Sequence, residues 1–317
     1  MRRRALLAAP LLAPGLVRAQ GEARAIRWVV PYPPGGPADV VARIAALKLG
    51  EELGLPLVVE NRAGGNGTIG AELVRQAAAD GQTLLAAPSV HAMARLVLRA
   101  VPFDPVTDFT PVARTAEAPL LVLANPALGV RSIAELLPKL RAAPERFSFG
   151  LSALGAAAHL AVLQFNRLAG LDLLVVPYRG SAPALTDLIG GRVQLMIDPI
   201  PAALPHVRDG RLVALAVTSP RRAGAAPEVP TAAESGMPGL EVFSWYGVWG
   251  PAGLPAATVA RLNAALNDGM RQQDTARRLA PLGIEPVAES AAAFRQYIDD
   301  DVARSAALLR AANFQPE

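Results

Sequence analysis

Residues 150–155, GLSALG, place a serine hydroxyl between a predicted strand and a predicted helix, where the nucleophile of an α/β hydrolase stands. The nucleophile elbow has the pattern G-x-S-x-G, and this segment is one residue too long for it. A triad would draw its base from one of the three histidines, His91, His159 or His206. His159 follows Ser152 by only seven residues, and no acid at a strand end stands out as its partner. These observations argue against Ser152 as a nucleophile. A periplasmic hydrolase that uses Ser152 is the alternative hypothesis.

Residues 65–70, GNGTIG, match the G-x-G-x-x-G pattern of dinucleotide-binding loops. Such a site also requires an acidic residue about 20 positions further on, at the end of the next strand. Here that strand ends in AAPS at residues 86–89, and the first acid after Asp80 is Asp104. The pattern therefore indicates a glycine-rich turn. Because the chain has no cysteine and its histidines fit no metal-ligand spacing, we predict neither a metal nor a cofactor.

A third set of residues is suited to holding an anion. In PYPPGGPAD, residues 31–39, the prolines stiffen the loop, and Gly35 and Gly36 let main-chain N–H groups approach a ligand closely. Pro37 suits the first position of a helix, whose N-terminus carries partial positive charge and unpaired donors. Asp39 then falls at the third helical position, where its carboxylate is expected to bond back to the cap.

The same arrangement occurs again in the middle of the chain. A predicted strand at residues 147–149 runs into the segment 150–155, and a helix is expected to begin near Ala156. Two helix N-termini from opposing lobes can hold the two ends of a small acid. Each charge-assisted hydrogen bond contributes about 1.5–3 kcal/mol, so a few of them suffice for micromolar binding.

Strands and helices alternate along the chain, which predicts an α/β fold with parallel sheets covered on both faces. The predicted strands are 26–31, 57–60, 83–87, 147–149, 173–176, 193–197 and 212–217, and the predicted helices are 37–53, 68–79, 156–169, 181–190, 200–209, 256–273 and 290–312. Two further segments, 119–126 and 240–251, are predicted to cross between two lobes. Lobe 1 is predicted to comprise residues 25–123 plus 241–317, and lobe 2 residues 124–240. Two crossings make a hinge, which suits a site that closes on its ligand.

Residues 1–19 have the form of a signal peptide that is cleaved near Ala19/Gln20, with a basic start and a mostly apolar stretch. This stretch is too short to span a membrane. Because RRALL at residues 3–7 also resembles a twin-arginine signal, the export route stays open, but the periplasm is the expected destination. The segment holds four of the 31 basic residues and none of the 27 acidic ones, so residues 20–317 are formally neutral. This balance argues against a nucleic-acid partner.

Seven segments, taken in order, resemble the substrate-binding proteins of tripartite tricarboxylate transporters, the TctC or Bug family. They are YPPGGPADVVAR, VVENRAGGNGTIGAE, FDPVTDFTPVA, VPYRGSAPALTDLIGGRVQLMID, LPHVRDGRLVALAVTS, VPTAAESG and SWYGVWGPAGLP. The resemblance implies a two-lobed, type II-like periplasmic-binding-protein fold, in which two hinge crossings join lobes that each contain a mostly parallel sheet flanked by helices. It also implies a protein without catalytic activity that passes a small carboxylate to membrane permease subunits or to a sensor. We expect this protein to be a monomer.

The resemblance further implies that the ligand lies between five regions of the chain. The predicted ligand-binding residues are Tyr32, Gly35, Gly36, Ala38, Ser89, Ser152, Gly155, Ala156, Tyr178 and Asp198. Asp198 leaves two alternatives open, because a carboxylate would repel a ligand carboxylate at short range. Either it orients a water or a loop N–H, or the ligand carries an ammonium or a hydroxyl at that point.

One loop departs from the family pattern, which is rich in Ser, Gly, Asn and Thr after the glycine. Here residues 151–158 read LSALGAAA, so that only Ser152 keeps a hydroxyl. A citrate-like ligand would leave several of its polar groups unpaired, at about 1–3 kcal/mol each. The sequence therefore predicts a less polar acid, aliphatic or aromatic.

Overall fold

The computed structural model describes residues 25–178 and 180–316, and in these ranges strands and helices alternate. The strands are β1 (Ile26–Val30), β2 (Leu57–Asn61), β3 (Thr83–Pro88), β4 (Phe109–Ala124), β5 (Ser148–Leu151), β6 (Leu174–Pro177), β7 (Leu195–Pro199), β8 (Val213–Val217), β9 (Phe243–Pro251) and β10 (Glu285–Pro286). The α-helices are α1 (Pro37–Leu53), α2 (Thr68–Arg75), α3 (Ala94–Val97), α4 (Ile133–Ala142), α5 (Ala157–Ala169), α6 (Ser181–Ile189), α7 (Ile200–Arg208), α8 (Ala256–Arg271), α9 (Gln273–Leu279) and α10 (Ala291–Ala311). None of these described helices has the length and apolarity that crossing a membrane requires. The predicted signal, residues 1–19, lies outside the described residues.

The sheet has two parallel parts, β2-β1-β3 in the first half of the molecule and β7-β5-β6 in the second half, which β9 and β4 connect through antiparallel pairs. In the first half β1 lies between β2 and β3, and in the second half β5 lies between β6 and β7, with all four pairs parallel. The strands β4 and β9 pair antiparallel with each other, β9 with β3, and β4 with β7 and β8. The whole sheet is therefore mixed.

β4 belongs to both halves because it is unusually long, at 16 residues. From Phe109 to Pro119 it pairs with β9, and from Leu120 to Ala124 it pairs with β7 and β8. The partners thus change between Pro119 and Leu120. The predicted lobe boundaries at 123/124 and 240/241 remain a prediction.

Each half has its own hydrophobic core. In the first half, Ile26 and Trp28 of β1 pack with Leu262 and Leu266 of α8, so the last part of the chain covers the first sheet. In the second half, a separate cluster centres on the aromatic pair of Phe149 in β5 and Phe165 in α5. The two halves therefore have separate hydrophobic cores, and β4 pairs with strands of both.

Several elements differ from the sequence prediction. α2 ends at Arg75 rather than near residue 79. The predicted helix 256–273 is interrupted at Gln272, whose extended backbone (φ −65°, ψ 138°) separates α8 from α9. The first part of β4 was not predicted, because its Arg114 and Glu117 break the apolar pattern. In the structure these two charges form an ion pair, and Arg114 also pairs with Glu289 before α10.

Candidate functional site

The strand register brings the carboxyl ends of the two parallel sets face to face. Pro88 at the end of β3 pairs with Tyr246 of β9, which pairs with Ala116 of β4. Asp198 near the end of β7 pairs with Leu121 of β4, and β7 runs in the opposite direction to β4. The two sets of strand ends are therefore separated by five residues of β4, or about 16 Å. The loops that follow these strands therefore begin at strand ends that face each other along β4.

The first of these loops connects β1 to α1. Gly35 has a positive φ of 85°, Gly36 is the N-cap of α1 without a side-chain cap, and Pro37 is the first helical residue, as predicted. Gly36 and Ala38 are partly exposed and Gly35 is exposed. Because the first N–H groups of a helix lack intrahelical acceptors, the start of α1 leaves backbone donors without partners inside the helix.

Asp39 holds this loop in place. Its carboxylate accepts hydrogen bonds from the Gly35 N–H (2.9 Å), Arg43 Nε (2.9 Å) and Asn61 Nδ2 (2.8 Å). The same Asn61 nitrogen donates to the carbonyl of Tyr32 (3.0 Å). Burial acts to raise the pKa of Asp39, but these hydrogen bonds outweigh it and hold the pKa below its usual value. The predicted bond back to the cap therefore exists, one residue earlier, at Gly35.

The GNGTIG segment supports the same loop, which the sequence analysis did not foresee. It folds as a 3-10 turn over Gly65–Gly67 that leads into α2. Gly67 has a φ of 94°, and a Cβ on it would lie 3.1 Å from the Tyr32 hydroxyl oxygen. The Tyr32 hydroxyl donates to the carbonyl of Asn66 at 3.4 Å, and burial raises its pKa. The glycines therefore allow the turn to approach Tyr32 closely.

The loop after β3 begins with Ser89, which is buried and opens a 3-10 turn. His91, two residues later, is buried among aromatic rings and contacts Phe109 and Trp249 edge to face. Burial lowers the pKa of His91 to about 3, so its imidazole is neutral at physiological pH. These contacts place His91 in the core beneath Ser89.

The second glycine-containing loop connects β5 to α5. The Ser152 hydroxyl donates to Oδ1 of Asp198 at 2.7 Å. The Gly155 N–H donates to Nδ1 of His159 at 3.1 Å, and burial lowers the pKa of His159 to about 4. Ala156 is the N-cap of α5 and has no side-chain cap. The Ser152 hydroxyl thus donates to a carboxylate, and the imidazole of His159 accepts a backbone N–H. Ser152 and His159 therefore do not form the serine–histidine pair that a hydrolase requires.

Gly155 also makes a contact between the two halves. A Cβ on Gly155, which has a φ of +73°, would lie 2.5 Å from Cγ1 of Val97 in α3. Val97 forms an apolar cluster with Leu160 of α5 and Leu309 of α10. The second loop therefore packs directly against the first half, beside the turn that contains Ser89.

Asp198 is completely buried, and its Oδ2 has no hydrogen-bond partner among the described residues. Burial raises the pKa of Asp198 to about 6, although the nearby hydroxyls of Ser181 and Ser152 act to lower it. Tyr178, at the end of β6, directs its hydroxyl to Oδ2 of Asp187 at 2.8 Å. Arg179 lies outside the described residues.

The predicted residues thus fall on loops at the facing strand ends, but their contact with a ligand remains a prediction. Within residues 25–178 and 180–316, no cluster of His, Asp and Glu has the geometry of a metal site. The donors that the loops offer are backbone N–H groups at two helix starts, whereas the Ser152 hydroxyl already donates to Asp198. This combination is suited to binding an anion.

Residues 41–314 match the model of the tripartite tricarboxylate transporter family receptor. The chain belongs to this family. The receptor is 37% identical to BugT of Bordetella pertussis over 290 residues, which cover 91% of this chain and 89% of BugT. It is also similar to an R. palustris protein solved with adipate, with a TM-score of 0.79, 37% identity and coverage of 93% of this chain and 99% of that chain.

A third similar structure is MatC from Rhodopseudomonas palustris with bound malate. The receptor matches it with a TM-score of 0.74 and 33% identity, over 90% of this chain and 99% of that chain. These likenesses confirm the family that the seven segments predicted and the two-lobed binding-protein fold. Most of the receptor and nearly all of each of these structures are covered, so the whole fold is shared.

Proposed function

We propose that this receptor binds a small carboxylate between the loops Tyr32–Ala38 and Gly150–Ala156 and releases it chemically unchanged. The observation that carries this proposal is the pair of uncapped helix N-termini, of α1 and α5, at strand ends that face each other across β4. Family membership and the adipate and malate of the related structures support a carboxylate as the ligand.

The export of the receptor is part of the proposal. Residues 1–19 act as the signal peptide, and the chain from Gln20 works in the periplasm as a monomer. There it delivers its ligand to the permease subunits of a tripartite tricarboxylate-type transporter or to a sensor. The formal neutrality of the chain from Gln20 means that the positive potential for an anion comes from loop N–H groups and helix ends.

The ligand is a less polar acid than citrate. Leu151, Ala157 and Ala158 are buried around the second loop, and Ser152 supplies the one side-chain hydroxyl there. This hydroxyl already bonds to Asp198. A ligand with many hydroxyl or carboxyl groups would leave some of them unpaired, whereas an aliphatic or aromatic acid has fewer groups to satisfy.

A melting-temperature series tests this proposal. The chain from Gln20 is heated with adipate, malate, hexanoate, benzoate and citrate, each at the same concentration. An acid at 100 times its Kd adds about 2.7 kcal/mol to the free energy of unfolding, which raises the Tm by several degrees. We expect adipate, hexanoate or benzoate to give the largest shift and citrate the smallest. If no acid raises the Tm, carboxylate capture is wrong, and if citrate gives the largest shift, the less polar ligand is wrong.

The Ser152→Ala variant separates a receptor from a hydrolase in the same series. A receptor loses one hydrogen bond and binds more weakly, with about a tenfold higher Kd. A hydrolase loses its reaction. Turnover of an ester by the wild type that is absent in the variant would overturn the proposal.

A further inference from the structure

Asp198 is a buried acid next to the proposed anion site. It lies one residue before the end of β7 and is fully buried, and its Oδ1 accepts the Ser152 hydroxyl at 2.7 Å. Its second oxygen, Oδ2, is unpartnered among the described residues. An ionised carboxylate in this position is poorly satisfied, because a buried charge without a counter-charge is costly.

No described cation neutralises this carboxylate. Within β4 the residue opposite Asp198 is Leu121, and the strand β5 beside it carries no ionisable side chain. From α6, the uncharged hydroxyl of Ser181 lies near Asp198 and acts to lower its pKa. The nearest acid of α6, Asp187, is held by Tyr178 and Arg192.

The remaining ionisable groups on neighbouring elements are directed elsewhere. His159 of α5 accepts the Gly155 N–H, and burial lowers its pKa to about 4. His206 and Arg208 are at the far end of α7, in its last turn. Arg179 lies outside the described residues, and the Arg179→Gln variant tests whether it contributes.

The proton of Ser152 links Asp198 to the ligand. A hydroxyl has one proton to donate and two lone pairs to accept with. While Asp198 is ionised, that proton is committed to Oδ1, and Ser152 offers only lone pairs to an incoming anion. Once Asp198 is protonated, its own O–H can donate to Ser152, and the serine proton becomes available to the ligand.

Resting on the proposed function, we propose that Asp198 takes up a proton from solvent when a carboxylate binds, so that the receptor captures each acid together with one proton. The protonated Asp198 donates to Ser152, and Ser152 donates to the ligand carboxylate. Asp198 is thereby a positioning residue that sets the polarity of the Ser152 hydroxyl. A ligand with an ammonium at this point would instead favour the ionised form of Asp198. Its binding would not be coupled to proton uptake.

The direction of the pH dependence follows from the free protein. Burial raises the pKa of Asp198 to about 6, so at pH 7 the free receptor holds this group mostly ionised. A bound anion raises the pKa further, because like charges repel. Between the two values the Kd rises about tenfold for each unit of pH, and below the lower value it is constant.

Isothermal titration in two buffers of different ionisation enthalpy, phosphate and Tris at pH 7, counts the protons taken up. The probe is the acid with the largest melting shift in the series above, beginning with adipate. We expect close to one proton per acid bound, and a Kd that rises about tenfold from pH 7 to pH 8. The Asp198→Asn variant, whose amide donates to Ser152 without ionising, should bind with no proton uptake and with the same Kd at both pH values.

Two control variants exclude other groups. His206→Gln and Arg179→Gln should both keep the proton uptake of the wild type. Binding by the wild type without uptake, uptake that persists in Asp198→Asn, or proton release would overturn this inference and leave carboxylate capture intact. If no acid binds at all, the proposed function fails, and this failure is distinguishable because there is then no binding heat. The wild-type measurement decides the inference even if a variant does not fold.

Discussion

At the scale of single residues, His91 illustrates how burial fixes a charge state. Its ring contacts Phe103, Phe109 and Trp249, and its Nε2 has no partner among the described residues. Burial lowers its pKa to about 3, whereas an unfolded histidine titrates near 6.5. The unfolded chain therefore binds the proton first, and His91 reduces stability as the pH falls from about 6.5 toward 3.

The His91→Phe variant should remove this acid sensitivity. At pH 4 the protonation of unfolded His91 costs the wild type about 3 kcal/mol of its free energy of unfolding relative to neutral pH. Urea unfolding followed by tryptophan fluorescence at pH 7 and pH 4 measures the difference. His206 is partly exposed, and His206→Gln serves as the control. Equal losses between pH 7 and pH 4 in the wild type and in His91→Phe would contradict a neutral, buried His91.

Single residues also mark the limit of the sequence analysis at the site. Ser152 and Asp198 were each predicted from the sequence, but their 2.7 Å hydrogen bond was not. They are 46 residues apart, and they meet only because β5 and β7 are neighbours although β6 lies between them in the chain. Sequence spacing does not encode this order of strands. The contact between Gly155 and Val97 could not be predicted either, because it joins two segments that are far apart in the sequence.

At the scale of elements, the loop before α5 depends on one glycine for two reasons. Gly155 adopts a φ of +73°, and there is no room for a Cβ between it and Val97. Gly170, at the other end of α5, has a similar φ of +66° but open space around it. Comparing substitutions at Gly155 and Gly170 therefore distinguishes the effect of backbone strain from the effect of the contact between the halves.

Both Gly155→Ala and Gly170→Ala should lose about 1 kcal/mol of stability, because each places a Cβ at positive φ, and the overlap with Val97 should add to the loss in Gly155→Ala. Only Gly155→Ala should also weaken acid binding, by about tenfold or more, since the added methyl pushes the second loop away from α3. Urea unfolding and isothermal titration measure the two effects. Adding Val97→Ala to Gly155→Ala should restore part of the affinity. Equal affinities for the two glycine variants would show that the contact does not contribute to capture.

Most elements could be predicted because their patterns are local. The first helix was predicted with its bounds, since Pro37 begins it and Gly54 ends it in the left-handed conformation. The first half of β4 could not be, because Arg114 is stabilised by Glu289, which is 175 residues away. An ion pair between such distant residues hides a strand from any local pattern.

At the scale of the whole molecule, the last helix connects the two halves in addition to β4 and β9. Phe294, near the start of α10, packs on Trp245 and Trp249 of the first half. Near its end, Leu309 joins the cluster of Val97 and Leu160. The end of α10 therefore adds a contact between the halves to the connection that β4 makes.

The central claim is that the receptor binds an acid between its halves and does not change it. The most direct test is the ¹³C NMR spectrum of the carboxyl-labelled acid with the largest melting shift, recorded with one equivalent of the chain from Gln20 and again after denaturation. We predict a single bound carboxyl resonance that saturates at one acid per chain and a return to the spectrum of the free acid on denaturation. A labelled acid that shows no bound resonance, or that appears as a new compound after denaturation, would contradict the account.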